Sequence, residues 1–164
     1  MNRSIFNLVA IDDDKNFLDS LTALLEVSGY KVFTFGSVEM AIEGTKNIND
    51  LYVTLLDHDF SLGSSEGKFG YEFSRHLKRS HWAGFVMPII YLTGRESREG
   101  FNSAVSEFGG YAPDEYFAKS QLASEPGLLQ QRIDFYLDRL ANFEASAEEH
   151  GRDIALGQFS DWIE

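Results

Sequence analysis

The chain has 164 residues, a net charge of −12 from 26 acids against 14 bases, and 43% hydrophobic residues, so one compact domain with a real core is expected and wholesale disorder is not. The acidic balance argues against direct binding of nucleic acid, whose phosphates need a basic patch. The lack of cysteine excludes structural disulfides, thiolate zinc sites and cysteine nucleophiles. Neither a signal-peptide pattern nor an apolar run of about 20 residues occurs, which points to a soluble cytoplasmic protein with no membrane segment.

Residues 6–11 (FNLVAI) form a short apolar run stopped by Asp12, Asp13 and Asp14, the pattern of a strand buried on both faces. A helix follows over 15–29, with Phe17, Leu18, Leu21, Leu24 and Leu25 at helical spacing, Asp14 as its N-cap and Gly29 at its stop. Residues 30–35 (YKVFTF) predict a second strand, and 38–47 a short helix capped by Ser37. Residues 51–56 (LYVTLL) predict a third strand, ending at Asp57 and Asp59. A Gly/Ser-rich loop then leads to a helix over 71–80, carrying Tyr71, Phe73 and Leu77 and ending in bases. Residues 87–92 (MPIIYL) predict strand four, 95–110 a helix with Phe101, Val105 and Phe108 in register, and 115–118 (EYFA) strand five. The most periodic helix spans 127–149, with Leu128, Leu129, Ile133, Tyr136, Leu137 and Leu140 on one stripe. One domain is drawn over 1–143. Residues 144–164 form an acidic extension or linker whose apolar residues suit a short docking helix.

Strands alternating with helices imply an α/β fold, a doubly wound parallel sheet with helices on both faces. The working site of such a sheet lies past the carboxyl ends of its strands. Asp12, Asp13 and Asp14 stand past strand one, Asp57 and Asp59 past strand three, Thr93 past strand four and Lys119 past strand five. Carboxylates gathered at one edge repel unless a cation neutralises them, and Mg2+ prefers carboxylate oxygens and bridges to phosphate. A lysine supplies a point charge for a phosphoryl oxygen, and a threonine hydroxyl can donate to another. Together these residues describe phosphoryl transfer onto or off a carboxylate, with Asp57 as nucleophile and Mg2+ held by Asp13 and Asp57 with Asp12 nearby.

The segments LVAIDDD, VTLLD, IIYLTG and DEYFAKS, in this order on a (βα)5 pattern, resemble the receiver domains of two-component response regulators over about residues 6–142. The resemblance implies a flavodoxin-like sheet of strand order 2-1-3-4-5. It implies Asp57 as phosphoacceptor, Asp12 and Asp13 as the acid pair, and the backbone carbonyl of Asp59 as a further Mg2+ ligand. It makes Thr93 the switch hydroxyl, Lys119 the phosphoryl-binding lysine and Tyr116 the switch aromatic. A histidine kinase or histidine phosphotransfer protein would supply the phosphoryl group. The change would be read on the face of the fourth helix, fifth strand and fifth helix, by a downstream protein, a lost output domain or a second copy in a homodimer. No turnover beyond self-phosphorylation and autodephosphorylation is expected.

Two departures stand out. Ser61 and Ser120 occupy positions where receivers usually have proline, and the loop over 60–70 is longer than usual. With serine at 120 a cis bond after Lys119 is not expected, since a non-proline cis peptide costs about 2.5–4 kcal/mol. Asp59 and Arg95, each two positions beyond a site residue, are expected to flank the pocket and to pair across its entrance. His58, His76, His81 and His150 share no metal-ligand spacing and read as surface or packing residues. Two alternatives remain: a phosphohydrolase of the haloacid-dehalogenase type, using Asp57 and Asp59 as an Asp-x-Asp pair, and a pseudo-receiver that binds partners without being phosphorylated.

Overall fold

The computed structural model describes residues 7–57, 70–93 and 113–163. Five strands, β1 (Asn7–Ile11), β2 (Lys31–Phe35), β3 (Val53–Leu56), β4 (Ile89–Thr93) and β5 (Glu115–Ala118), form one all-parallel sheet in the order β2-β1-β3-β4-β5. The described helices are α1 (Lys15–Val27), α2 (Val38–Thr45), α3 (Tyr71–Ser80), α4 (Lys119–Ser124), α5 (Pro126–His150) and α6 (Arg152–Ile163). The fold class and strand order are those expected, and every predicted strand is present with ends shifted by up to two residues. The helix predicted over 95–110 lies outside the described residues.

The central strands read as continuous apolar runs because both faces of the sheet are covered. Leu8, Val9, Ala10 and Ile11 of β1, and Val53, Leu55 and Leu56 of β3, are all buried in a single core. Local chemistry sets the helix ends. Asp14 Oδ1 accepts the Phe17 N–H at 3.1 Å and Ser37 Oγ accepts the Met40 N–H at 3.1 Å, so both predicted N-caps are in place. At the end of α1, Gly29 adopts φ +93°, Gly29 N–H donates to Glu26 O and Tyr30 N–H donates to Leu25 O. This paired closure needs a left-handed residue, which glycine supplies without a Cβ clash. It turns the chain directly into β2.

One polar pair sits within the core. Ser74 of α3 and Tyr91 of β4 are both fully buried, and their hydroxyls lie 3.1 Å apart. The bond serves two groups that burial would otherwise strand.

Helix α5 continues through 143 to His150, so the boundary drawn from the sequence falls inside an unbroken helix. After Gly151 the chain reverses and α6 lies back along α5, with Ala155 and Phe159 joining the core. Phe159 meets the Phe143 ring edge-on at 6.1 Å, and the Arg139 guanidinium stands 5.0 Å from its centroid. We expect Phe159→Ala to cost about 3 kcal/mol, the range for deleting a buried aromatic, in urea unfolding. No change in the midpoint would mean that α6 is a loose appendage and not part of the domain.

Candidate functional site

Asp12 and Asp57 follow directly on β1 and β3, and the sheet still holds their backbones. Asp12 N–H donates to Phe35 O at 3.1 Å and Asp57 N–H donates to Ile11 O at 2.9 Å, each one rung beyond the last paired residues of the ladder. Both acids are thereby fixed side by side at the carboxyl edge, at 2% and 5% exposure. Asp12 Oδ1 also accepts the Asp14 N–H at 2.9 Å, which shapes the turn into α1. Asp13, half-buried, completes a group in which one carboxylate oxygen from each of Asp12, Asp13 and Asp57 lies within 4.8 Å of the others.

Lys119 comes from the far side of the sheet. β5 is three strands from β1, about 14 Å at ordinary strand spacing. The chain enters α4 at Lys119 itself, and Gln121 Oε1 secures the turn by accepting the Ala118 N–H at 2.9 Å. The ammonium reaches Asp12 Oδ2 at 2.7 Å and Asp57 Oδ2 at 3.8 Å. It also lies 4.3 Å from the centroid of the Phe17 ring, a cation–π contact that lines its path. No peptide bond among the described residues is cis, in keeping with Ser120.

The electrostatics of the pair are uneven. Burial pushes the Asp12 carboxyl above the ordinary aspartate value, although Lys119 and the Asp14 N–H pull the other way. Burial disfavours charge on Lys119 too, but the Asp12 and Asp57 carboxylates outweigh it and raise the ammonium's pKa. Beyond its contact with Lys119, Asp12 Oδ2 is buried with no further hydrogen-bond donor among the described residues. Among the described residues, one ammonium therefore faces three clustered carboxylates. The deficit of positive charge, and the all-oxygen donor set, fit a hard divalent cation such as Mg2+.

The structure thus brings Asp12, Asp13, Asp57 and Lys119 together as the sequence predicts. Thr93 ends β4, paired with Ala118 of β5, and only its backbone is described. Tyr116 lies on β5 opposite Tyr91, half-buried against the core. Asp59, Ser61, Arg95 and the loop over 60–69 lie outside the described residues, as does the proposed Asp59–Arg95 pair. Sequence reasoning missed the role of Phe17, which it read as a helix core residue; only its place one turn after the acids marks it.

No family model matches the sequence. Solved structures do. A response regulator receiver domain protein (CheY-like) from Methanospirillum hungatei JF-1 is 27% identical, with TM-score 0.59, over 85% of this chain and 98% of that one. The N-terminal domain of a response regulator/sensory box/GGDEF protein from Carboxydothermus hydrogenoformans is 19% identical, with TM-score 0.65, over 85% and 98%. The response regulator TrrA from Thermotoga maritima, solved in complex with Mg2+ and BeF, is 22% identical, with TM-score 0.60, over 80% and 99%.

Within the acid run the roles divide. Asp14 caps α1 and is exposed, so Asp14→Ala should cost about 1 kcal/mol in urea unfolding. Asp13 caps nothing and sits among like charges, so Asp13→Ala should not destabilise the protein. A reversal of the two results would reassign the cap.

Proposed function

We propose that the chain, whose fold is that of response regulator receiver domains, is a phosphorylation-dependent switch of a two-component system in which Asp57 accepts the phosphoryl group. The observation that carries this reading is the convergence of Asp57 with Asp12, Asp13 and the Lys119 ammonium at one sheet edge. The donor is a phosphohistidine on a histidine kinase or phosphotransfer protein. A carboxylate oxygen of Asp57 attacks phosphorus, the new O–P bond forms as the P–N bond breaks, and the imidazole nitrogen keeps the electron pair. Burial strips water from the attacking carboxylate and holds it in line, so the protein contributes mainly position and charge.

Asp12, Asp13 and Asp57, with the backbone carbonyl of Asp59, would hold Mg2+. When bound, this ion supplies the positive charge that lets a phosphoryl dianion approach a cluster of carboxylates. Lys119 then turns part of its charge from Asp12 to a phosphoryl oxygen, which its position between the two acids allows. The Thr93 hydroxyl donates to a second oxygen, and Tyr116 follows it inward. The output is read on the face formed by the predicted 95–110 helix, β5 and α5, by a downstream protein or by a second copy. The protein turns over only its own phosphoryl group, through formation and hydrolysis of the acyl phosphate.

Incubation with acetyl phosphate and Mg2+ should add one phosphoryl group by intact-protein mass spectrometry. Asp57→Asn should abolish the adduct, and a chelator should prevent it. An adduct that survives Asp57→Asn, or none in the parent protein, would overturn the assignment. Steady turnover of a small phosphate ester would instead favour the phosphohydrolase.

A further inference from the structure

The opposite edge of the sheet holds a second polar site. Helices in this fold run back against the strands, so the C-terminal ends of α2 and α3 lie at the end where β3 begins. There Lys46, just past α2, His76 of α3, His81 and Trp82 after α3, and Arg152 at the start of α6 line a cavity of about 410 Å³. That size falls within the range of about 300–1,000 Å³ typical of small-molecule sites. Asp57 is separated from it by the length of β3.

The lining is unusual for this chain. Acids outnumber bases by 26 to 14 overall, yet no aspartate or glutamate lines the cavity. Arg152 has no carboxylate partner among the described residues. Its guanidinium lies 4.1 Å from the centroid of the Trp82 indole, whose ring also stacks with Phe143 at 5.6 Å. A cation–π contact fixes the position of a guanidinium without neutralising its charge. Among the described residues Lys46 pairs with Glu43 alone, one turn away at 2.8 Å, and both are exposed, so water screens the pair and it can exchange.

The imidazoles add donors. His81 Nδ1 accepts the Ala83 N–H at 3.0 Å, which leaves the ring proton on Nε2. His76 Nδ1 lies 3.3 Å from Ser80 Oγ, which also lines the cavity. Burial and the neighbouring cations hold both imidazoles below the ordinary histidine value: Lys46 acts on His76 and Arg152 on His81. An anion in the cavity would relieve that repulsion.

The blander account is that bases gather at helix C-termini because the helix dipole favours them there. It covers Lys46 and His76. Arg152 stands between two dipoles, just past the end of α5 and at the start of α6, and it is the Trp82 indole face that fixes its guanidinium at the cavity. Asp153 in the same turn is exposed and does not line the cavity.

We propose that this cavity binds a small organic phosphate, held by Lys46 and Arg152 with N–H and O–H donors from His81 and Ser80. A phosphomonoester suits two permanent cations that approach from different elements, and a tetrahedral group can take donors from several directions.

The test is a fluorescence titration in a Trp162→Phe background, so that Trp82 is the one indole. Phenyl phosphate should change Trp82 emission saturably, with a dissociation constant of about 1 mM or tighter, and inorganic phosphate should compete. Arg152→Gln and Lys46→Gln should each weaken binding by about tenfold, the loss of one charge-assisted contact, and Lys46→Arg should retain most of it. Benzoate binding as tightly as phenyl phosphate would overturn the phosphate class. No saturable change, or an equal response to phenol, would overturn the site. Undiminished binding in both glutamine variants would overturn the named cations.

Discussion

The structure depends on one charge-balance problem at the carboxyl edge of the sheet. Two carboxylates, Asp12 and Asp57, are buried side by side because the ladder holds their backbone N–H groups. A buried charge is costly unless it is paired and hydrogen-bonded. Lys119 is the group that answers both, drawn from a strand three places away. The ion pair therefore fixes where α4 begins and ties β5 to β1 across the sheet edge. It does not settle the charge fully. The pKa of Lys119 is raised by the carboxylates, while that of Asp12 stays raised by burial in spite of Lys119. The attraction wins over burial at Lys119 and loses to it at Asp12. Among the described residues the site is left short of positive charge, which is compatible with a bound cation.

Parallel pairing turns this into a property of the fold. Each strand in a parallel sheet ends on the same edge, so residues 45 and 107 positions beyond Asp12 in the chain, Asp57 and Lys119, meet without any local sequence signal. What was legible in the sequence was the punctuation. Apolar runs broke off at acids, Asp14 and Ser37 stood where caps belong, and Gly29 stood where only a left-handed residue closes the helix. The set of acids plus Lys119 was legible because each member directly follows its own strand.

Other features carried no such mark. Ser74 looks like a surface residue of an amphipathic helix, yet it is buried because Tyr91 brings a hydroxyl to meet it. The boundary at 143 followed a shift to acidic composition, but Phe143, Ala155 and Phe159 pack together across it. His76 and His81 read as surface or packing residues, and no spacing in the chain links them to Arg152. Only the return of α6 along α5 brings that residue to them. In each case tertiary contact, not local propensity or period, decided the outcome.

The two edges of the sheet can be understood together through the helix dipoles. Asp12, Asp13 and Asp14 precede α1, where the positive end of the helix and its unpaired N–H groups favour negative charge. Lys46 follows α2, and Lys78 and Arg79 lie in the last turn of α3, where carbonyl ends favour positive charge. An alternating β-α order puts helix starts at one edge and helix ends at the other, so the dipoles alone would sort acids to the first and bases to the second. The carboxylate edge goes further than this sorting requires, since it buries its acids and draws in a lysine against the trend. At the opposite edge Arg152 follows the end of α5 and begins α6, so the two dipoles act on it in opposite senses. Lys119 and Arg152 each begin a helix in the last third of the chain. At both edges, position is set by something other than the helix: two carboxylates for Lys119, and an indole face for Arg152.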